Sequence, residues 1–169
     1  PGLINNLQLL LKDDTKIVIE NHYLGAVFRG GQFDTFYHEH PRTYSYKSFE
    51  YIAQSLDMCL LDAEFVSRYG GNIRVYLGVG ESKHVDIDEK SFVSCFDKMN
   101  EDLNKWKLDT KATIDAHVKI NGPIRAKAFP GRAAILIKLL NLTESHISAV
   151  YEIEGSIKVG HYVPGTRIP

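Results

Sequence analysis

The chain has 169 residues, of which 44% are hydrophobic and 24% charged, with 20 Lys and Arg against 21 Asp and Glu. That length allows one ordinary domain or two small ones, and the composition excludes collagen-like, low-complexity and disordered chains. The near-neutral balance lacks the clustered Lys and Arg that nucleic acid or an anionic membrane requires, and no apolar run reaches the roughly 18–20 residues of a membrane span, so neither partner is expected.

Leu3, Ile4, Leu7, Leu10 and Leu11 recur at helical spacing and stop at Lys12-Asp13-Asp14-Thr15, which predicts a helix followed by a turn. Lys16-Ile17-Val18-Ile19-Glu20 is a short β-branched run whose continuous apolarity suits a strand covered on both faces and paired with a parallel neighbour. Residues 25–42 carry Gly25, Gly30, Gly31 and Pro41, a connection long enough to suggest a function. Tyr46, Phe49, Ile52, Ala53 and Leu56 restore the helical period. Met58 to Val66 and Asn72 to Val79 read as strands, and the short link Ser67-Arg68-Tyr69-Gly70-Gly71 favours an antiparallel hairpin over a crossover.

Asp86 or Asp88 is placed to cap a long helix with Phe92, Phe96, Met99, Leu103 and Trp106 on one stripe, expected to bend near Asp109-Thr110 and to end at Asn121-Gly122-Pro123. A strand Ile124 to Phe129, a turn at Pro130-Gly131, a helix Arg132 to Leu142 and a strand His146 to Ile153 then form a βαβ unit whose sheet is left with an open edge. The domain reading is 1–86, a helical linker 87–122, and 123–169. Cys59 and Cys95 sit in apolar periodic stretches and read as buried, reduced thiols. Pro1-Gly2-Leu3 shows neither a basic n-region nor a small-residue cleavage site, so a cytoplasmic location is expected.

The densest chemistry is Phe33-Asp34-Thr35-Phe36-Tyr37-His38-Glu39-His40, followed by Pro41-Arg42-Thr43-Tyr44. A phenol, two imidazoles and a carboxylate within four positions supply donors, acceptors and a base near neutral pH, as proton abstraction beside a carbonyl requires. Metal ligands on adjacent positions diverge and no third ligand follows at helical spacing, so no metal site is expected. Gly78-Val79-Gly80 and Phe129-Pro130-Gly131-Arg132 each lack the glycines of a dinucleotide fingerprint.

The string at 33–40 resembles the signature of S-adenosylmethionine-dependent sugar C-methyltransferases, which methylate a carbon of nucleotide-linked keto-sugars. Tyr69-Gly70-Gly71-Asn72-Ile73-Arg74-Val75-Tyr76 is similar to that family's glycine-glycine-x-x-arginine-valine strand, and residues 158–169 to its C-terminal-domain motif. The resemblance implies an α/β fold: the second half of a class I methyltransferase Rossmann-like sheet with an antiparallel hairpin, a linking helix, and the start of a second Rossmann-like domain. It places Tyr37, Glu39 and His40 at the active centre, His40 as general base forming an enolate, with His38 and Arg74 as substrate-binding positions.

A structural ion pair for Arg74 is weighed equally. The family's zinc cysteines and glycine-rich donor loop are missing from these residues, so the chain alone is expected to be inactive, with S-adenosylmethionine and zinc belonging to other segments of a complete member. Pro41-Arg42 departs from the family, where an apolar residue is commoner. Two other readings stand beside this one: a non-catalytic nucleotide-sugar or protein-binding module, and a metal-dependent hydrolase built on His38, Glu39 and His40. Unpaired strand edges and the stripe of Phe92, Phe96 and Trp106 predict a homo-oligomer.

Overall fold

The computed structural model describes residues 2–37, 40–127 and 131–169. The chain is mixed α/β and divides into two compact units, Pro1–Met99 and Asn100–Pro169.

In the first unit, helix α1 (Gly2–Gln8) precedes strand β1 (Ile17–His22), helix α2 (Leu24–Gly30) and a single 3-10 turn, Phe33–Thr35. Helix α3 (Tyr46–Ser55) and the hairpin of β2 (Cys59–Val66) and β3 (Asn72–Gly78) follow. The connection expected over 25–42 therefore contains a helix, in which Gly25, Ala26 and Val27 are buried. The sheet order is β1-β3-β2, with β3 antiparallel to both neighbours. Ile73, Val75 and Leu77 alternate along β3 and are fully buried, clustered with Phe49 and Ala53 of α3 and with Ile17 and Ile19. Period-two alternation with one apolar face is what an antiparallel sheet with a single covered face requires.

β1 lies at the edge of the sheet, paired antiparallel with β3. It departs from expectation in its faces, only one of which is buried: Val18 is 56% exposed and Glu20 lies opposite Arg74 on the polar face. The Arg74 guanidinium donates to Glu20 Oε2 from Nη2 at 2.7 Å and from Nε at 3.0 Å, and from Nη1 to Glu64 Oε2 at 3.3 Å, while Asn72 Nδ2 donates to Glu20 Oε1 at 2.9 Å. The Asn72 and Arg74 donors hold the Glu20 carboxyl below its ordinary range, and Glu20 in turn raises the guanidinium. The unfolded chain thus takes up the Glu20 proton first as pH falls, so this carboxylate's stabilisation is fully present above the ordinary value of 4.5 and fades below it. Glu20→Gln is expected to be less stable than the parent to urea at pH 7 and to converge with it in acid. A gap that persisted in acid would mean the carboxylate charge contributes nothing.

Residues 79–91 are tied to the first unit by polar bonds. Lys83 N–H donates to the Leu60 carbonyl at 3.1 Å, Lys83 Nζ pairs with Asp62 at 2.7 Å, and Tyr46 Oη donates to the Lys83 carbonyl at 3.3 Å. Asp88 closes a turn onto the Lys90 N–H at 2.9 Å, one turn ahead of the helix it was expected to cap.

Helix α4 (Phe92–Asn121) is one continuous helix of 30 residues. The helix continues without a break through Asp109-Thr110, where a bend was expected; Thr113 Oγ1 donates back to the Asp109 carbonyl at 2.9 Å, which accommodates a hydroxyl inside the helix. Its apolar stripe is divided: Phe92 joins the first unit's core, whereas Trp106 and Ile114 pack in the second.

The second unit pairs β4 (Ile124–Lys127) and β5 (Ile147–Tyr151) in parallel, with α5 (Ala133–Leu139) on the connection, as a parallel pair demands a crossover. Residues 128–130, which include the end of the expected strand and the Pro of its turn, lie outside the described residues. Ile137, Leu140, Leu142 and Ile147 form the core with Val163 and Ile168 of the tail. The Val150 N–H donates to the Pro169 carbonyl at 2.8 Å and the Val163 N–H to the Ile168 carbonyl at 2.9 Å. The tail therefore covers an edge of β5 that was expected to be open. Cys59 and Cys95 are free and half-buried rather than buried. No helix among the described residues is long and apolar enough to cross a membrane.

Candidate functional site

The chain leaves β1 at His22 and returns to the same place twenty residues later. Tyr23 forms a parallel bridge with Tyr44, the Leu24 N–H donates to the Tyr44 carbonyl at 2.9 Å, and the Tyr23 N–H donates to the Gly71 carbonyl at 3.2 Å. The excursion between these clamps is anchored inside by buried Thr35, whose Oγ1 lies 3.2 Å from His22 Nδ1. Buried polar groups need such partners, so this bond fixes the residues just before Tyr37. Phe28 meets Phe96 edge to face at 4.6 Å, and Phe36 lies 6.1 Å from Phe96.

The glycine pair of the hairpin has a local reason. Gly70 and Gly71 take φ of +87° and +129°, a Cβ on Gly70 would strike the Gln32 amide, and one on Gly71 would strike the Ala26 methyl. Only glycine allows the hairpin to press against α2 and the start of the excursion.

Glu89 holds the other end. Its Oε1 accepts the Tyr46 N–H at 2.6 Å and the Tyr23 hydroxyl at 3.1 Å, and its Oε2 accepts the Lys47 N–H at 3.2 Å. Ser45 completes the start of α3 through a reciprocal capping pair with Ser48. Burial, and then the Glu89 charge, raise the Tyr23 phenol well above its usual value, so it stays protonated as a donor.

Between these anchors, the Tyr37 and His40 rings meet edge to face at 5.1 Å, and the His40 N–H donates to the Tyr37 carbonyl at 2.9 Å. Both line an open cleft of about 1370 Å³. Its walls are apolar at Leu3, Leu24, Phe36 and Phe96, and polar along 40–48 and at Tyr51 and Ser55. The structure thus brings Tyr37 and His40 together. His38 and Glu39 lie outside the described residues. Arg74 is not among the described residues that line the cleft; it is held on the polar face of the sheet by Glu20 and Glu64, the structural pairing weighed for it from sequence.

From sequence, Arg42 stands only as a departure from the resembled family and Lys47 carries no signal of its own, yet both line the cleft with Tyr37 and His40. A signal for the pair was present, since residues 40–49 carry these two cations and no acid. Sequence reasoning passed over Glu89, whose role depends on contacts across some forty residues of chain.

A bound S-adenosylmethionine would need a glycine-rich turn between a strand and a helix, opening room for the donor's amino-acid and ribose groups. β1 instead runs through Tyr23 straight into α2, and the space a Cβ on Gly25 would take is filled by the Tyr23 ring. The described residues do not fit this donor. Among the described residues, no group of three or more His, Cys, Asp or Glu side chains is placed to hold a metal ion. No protein-family model matches the sequence, and no curated protein matches it either.

Proposed function

We propose that this chain carries the acceptor half of a C-methyltransferase that uses S-adenosylmethionine and acts on a nucleotide-linked keto-sugar, with His40 as the base that activates the acceptor carbon. The observation that carries the reading is the edge-to-face pair of Tyr37 and His40 on the wall of the large cleft. A carbon beside a ketone is a weak acid. In the proposed step its C–H bond breaks, the proton passes to an imidazole nitrogen of His40, and the electron pair moves through the new C=C bond onto the carbonyl oxygen. The Tyr37 hydroxyl donates to that oxygen as charge develops there.

The sheet supports the same reading. Because β3 is antiparallel to both neighbours, β1 and β2 run parallel to each other, joined by a connection containing α2 and α3, and β1 keeps one edge for a further strand. That is how one margin of a doubly wound sheet looks when a reversed strand is inserted, and the cleft follows the carboxyl end of β1, where such sheets place their ligands. The donor is then held by residues other than these. Free, half-buried cysteines suit the reducing cytoplasm, where we place the protein.

The test is solvent hydrogen exchange at the carbon beside the ketone of a nucleotide-linked keto-sugar, followed without methyl donor. Exchange that requires His40 supports the reading; no exchange above the uncatalysed rate refutes it.

The reading includes association of the chain with itself. Among the described residues no strand pairs with the outer edge of β1, and such an edge is a template for a further strand. Light scattering coupled to size exclusion is expected to give a dimer or larger at tens of micromolar, and a clean monomer would refute the association.

A further inference from the structure

The cleft wall has a charge pattern that proton abstraction alone does not need. Among the described residues that line it, Arg42 and Lys47 are the formal cations and there is no Asp or Glu, in a chain whose acids outnumber its bases. Both side chains are exposed, and neither has a salt bridge to a described residue, in contrast with Arg74 and Lys83, whose charges are matched by carboxylates. The Glu89 carboxylate accepts from the Tyr46 and Lys47 backbone N–H groups, and it makes no salt bridge with the Lys47 ammonium. Lys47 and its neighbour Ser45 are held in place by the capped start of α3, while Arg42 stands two residues ahead of the Tyr44 clamp. Two cations without a salt bridge to a described residue, lining the same cleft as Ser45 and Ser48, form a recognition surface for phosphate oxygens.

We propose that Arg42 and Lys47 bind the diphosphate of the ligand, so that the cleft selects a nucleoside-diphosphate-linked sugar over the free sugar. This rests on the reading above for which ligand carries the diphosphate, and on the cleft alone for where the diphosphate sits. The volume agrees with a ligand of that size. At about 1370 Å³ the cleft exceeds the roughly 300–1,000 Å³ of an ordinary small-molecule pocket, far more than one sugar ring fills. Tyr37 and His40 on the same wall would then receive the sugar end.

The experiment compares binding of uridine diphosphate, thymidine diphosphate, uridine and inorganic pyrophosphate to the protein by calorimetry, for the parent, Arg42→Gln and Lys47→Gln. At least one diphosphate is expected to bind more tightly than uridine, with an affinity that falls as salt rises. Each of Arg42→Gln and Lys47→Gln is expected to weaken it about tenfold, the usual effect of losing one charge-assisted hydrogen bond.

Exchange separates the two proposals. If the parent exchanges the keto-sugar proton through His40 but diphosphate affinity is indifferent to Arg42 and Lys47, the diphosphate assignment is overturned and the reading of the reaction stands. If diphosphate binding depends on both cations but no exchange occurs, the assignment stands and the reaction is wrong. Circular dichroism of the two Gln variants, whose exposed side chains make no core contact, shows whether a loss of binding is a loss of fold.

Discussion

His40→Asn is expected to lower hydrogen exchange at the acceptor carbon by roughly 10²–10⁴-fold, the contribution of a positioned acid or base. Asn keeps hydrogen-bonding capacity of similar reach but cannot take a proton near neutral pH, so the variant separates base chemistry from binding. The geometry says why the effect should reside in exchange rather than in affinity. His40 is placed by its own backbone, through its N–H on the Tyr37 carbonyl, and by the ring contact at 5.1 Å, so the substitution leaves the Tyr44 clamp and the α3 cap untouched. Tyr37→Phe removes the proposed enolate donor while keeping the ring contact with His40, and is expected to cost about 10²–10³-fold, as loss of one oxyanion-type donor does. Undiminished exchange in His40→Asn would sink the assignment of the base. A loss in Tyr37→Phe alone would transfer the role to the phenol.

Much of the fold is legible in the sequence where local pattern and tertiary environment agree. The alternation Ile73, Val75, Leu77 marks β3 because its other face really is polar, and the five-residue glycine link marks the hairpin because no crossover fits into it. Parallel pairing of β4 with β5 follows from the helix between them. β1 is misread for a definite reason: Ile17, Val18 and Ile19 are the apolar run of a two-faced buried strand, but Val18 sits exposed beside the Glu20–Arg74 network. Periodicity cannot separate an unfilled apolar position from a covered one. The 25–42 segment is misread as pure connection because a seven-residue helix with Gly at positions 25 and 30 carries little propensity of its own and is held by packing against Tyr23 and Gly71.

The site divides in the same way. Tyr37 and His40 are legible from residue type and spacing alone, since three residues in a turn bring two rings together. Arg42 and Lys47 carry no motif, and the role proposed for them comes from the absence of Asp and Glu among the described residues that line the cleft. Glu89 is illegible from sequence, because nothing in a lone Glu at the end of an irregular stretch points to backbone N–H groups on a helix that begins at Tyr46. Arg74 belongs to a motif and yet is paired within the sheet, where registers of β1 and β2 set Glu20 and Glu64 opposite it.

Phe49→Ala is expected to cost about 3–5 kcal/mol, the range for deleting a buried aromatic ring and leaving a cavity. Phe49 is 1% exposed at the centre of the first unit's core, on the face of α3 that packs against β2 and β3. The Tyr44 ring stacks on it at 5.3 Å and 29°, and Tyr44 is also the residue that clamps the return of the excursion to Tyr23 and Leu24. Removing the ring therefore opens the core and takes the support from one wall of the cleft in the same substitution. Against a total stability of about 5–15 kcal/mol this is a large fraction, so the urea midpoint should fall steeply with little change in slope. Tyr51→Ala on the same helix is the control: at 71% exposed it should move stability by no more than about 0.5 kcal/mol. At a temperature where Phe49→Ala remains folded, diphosphate affinity and exchange should fall together, because Tyr44 underlies both the cationic wall and the Tyr37–His40 pair. A cost below about 1 kcal/mol would mean that the site has room to collapse around the missing ring, and the link from core to cleft through Tyr44 would fail with it.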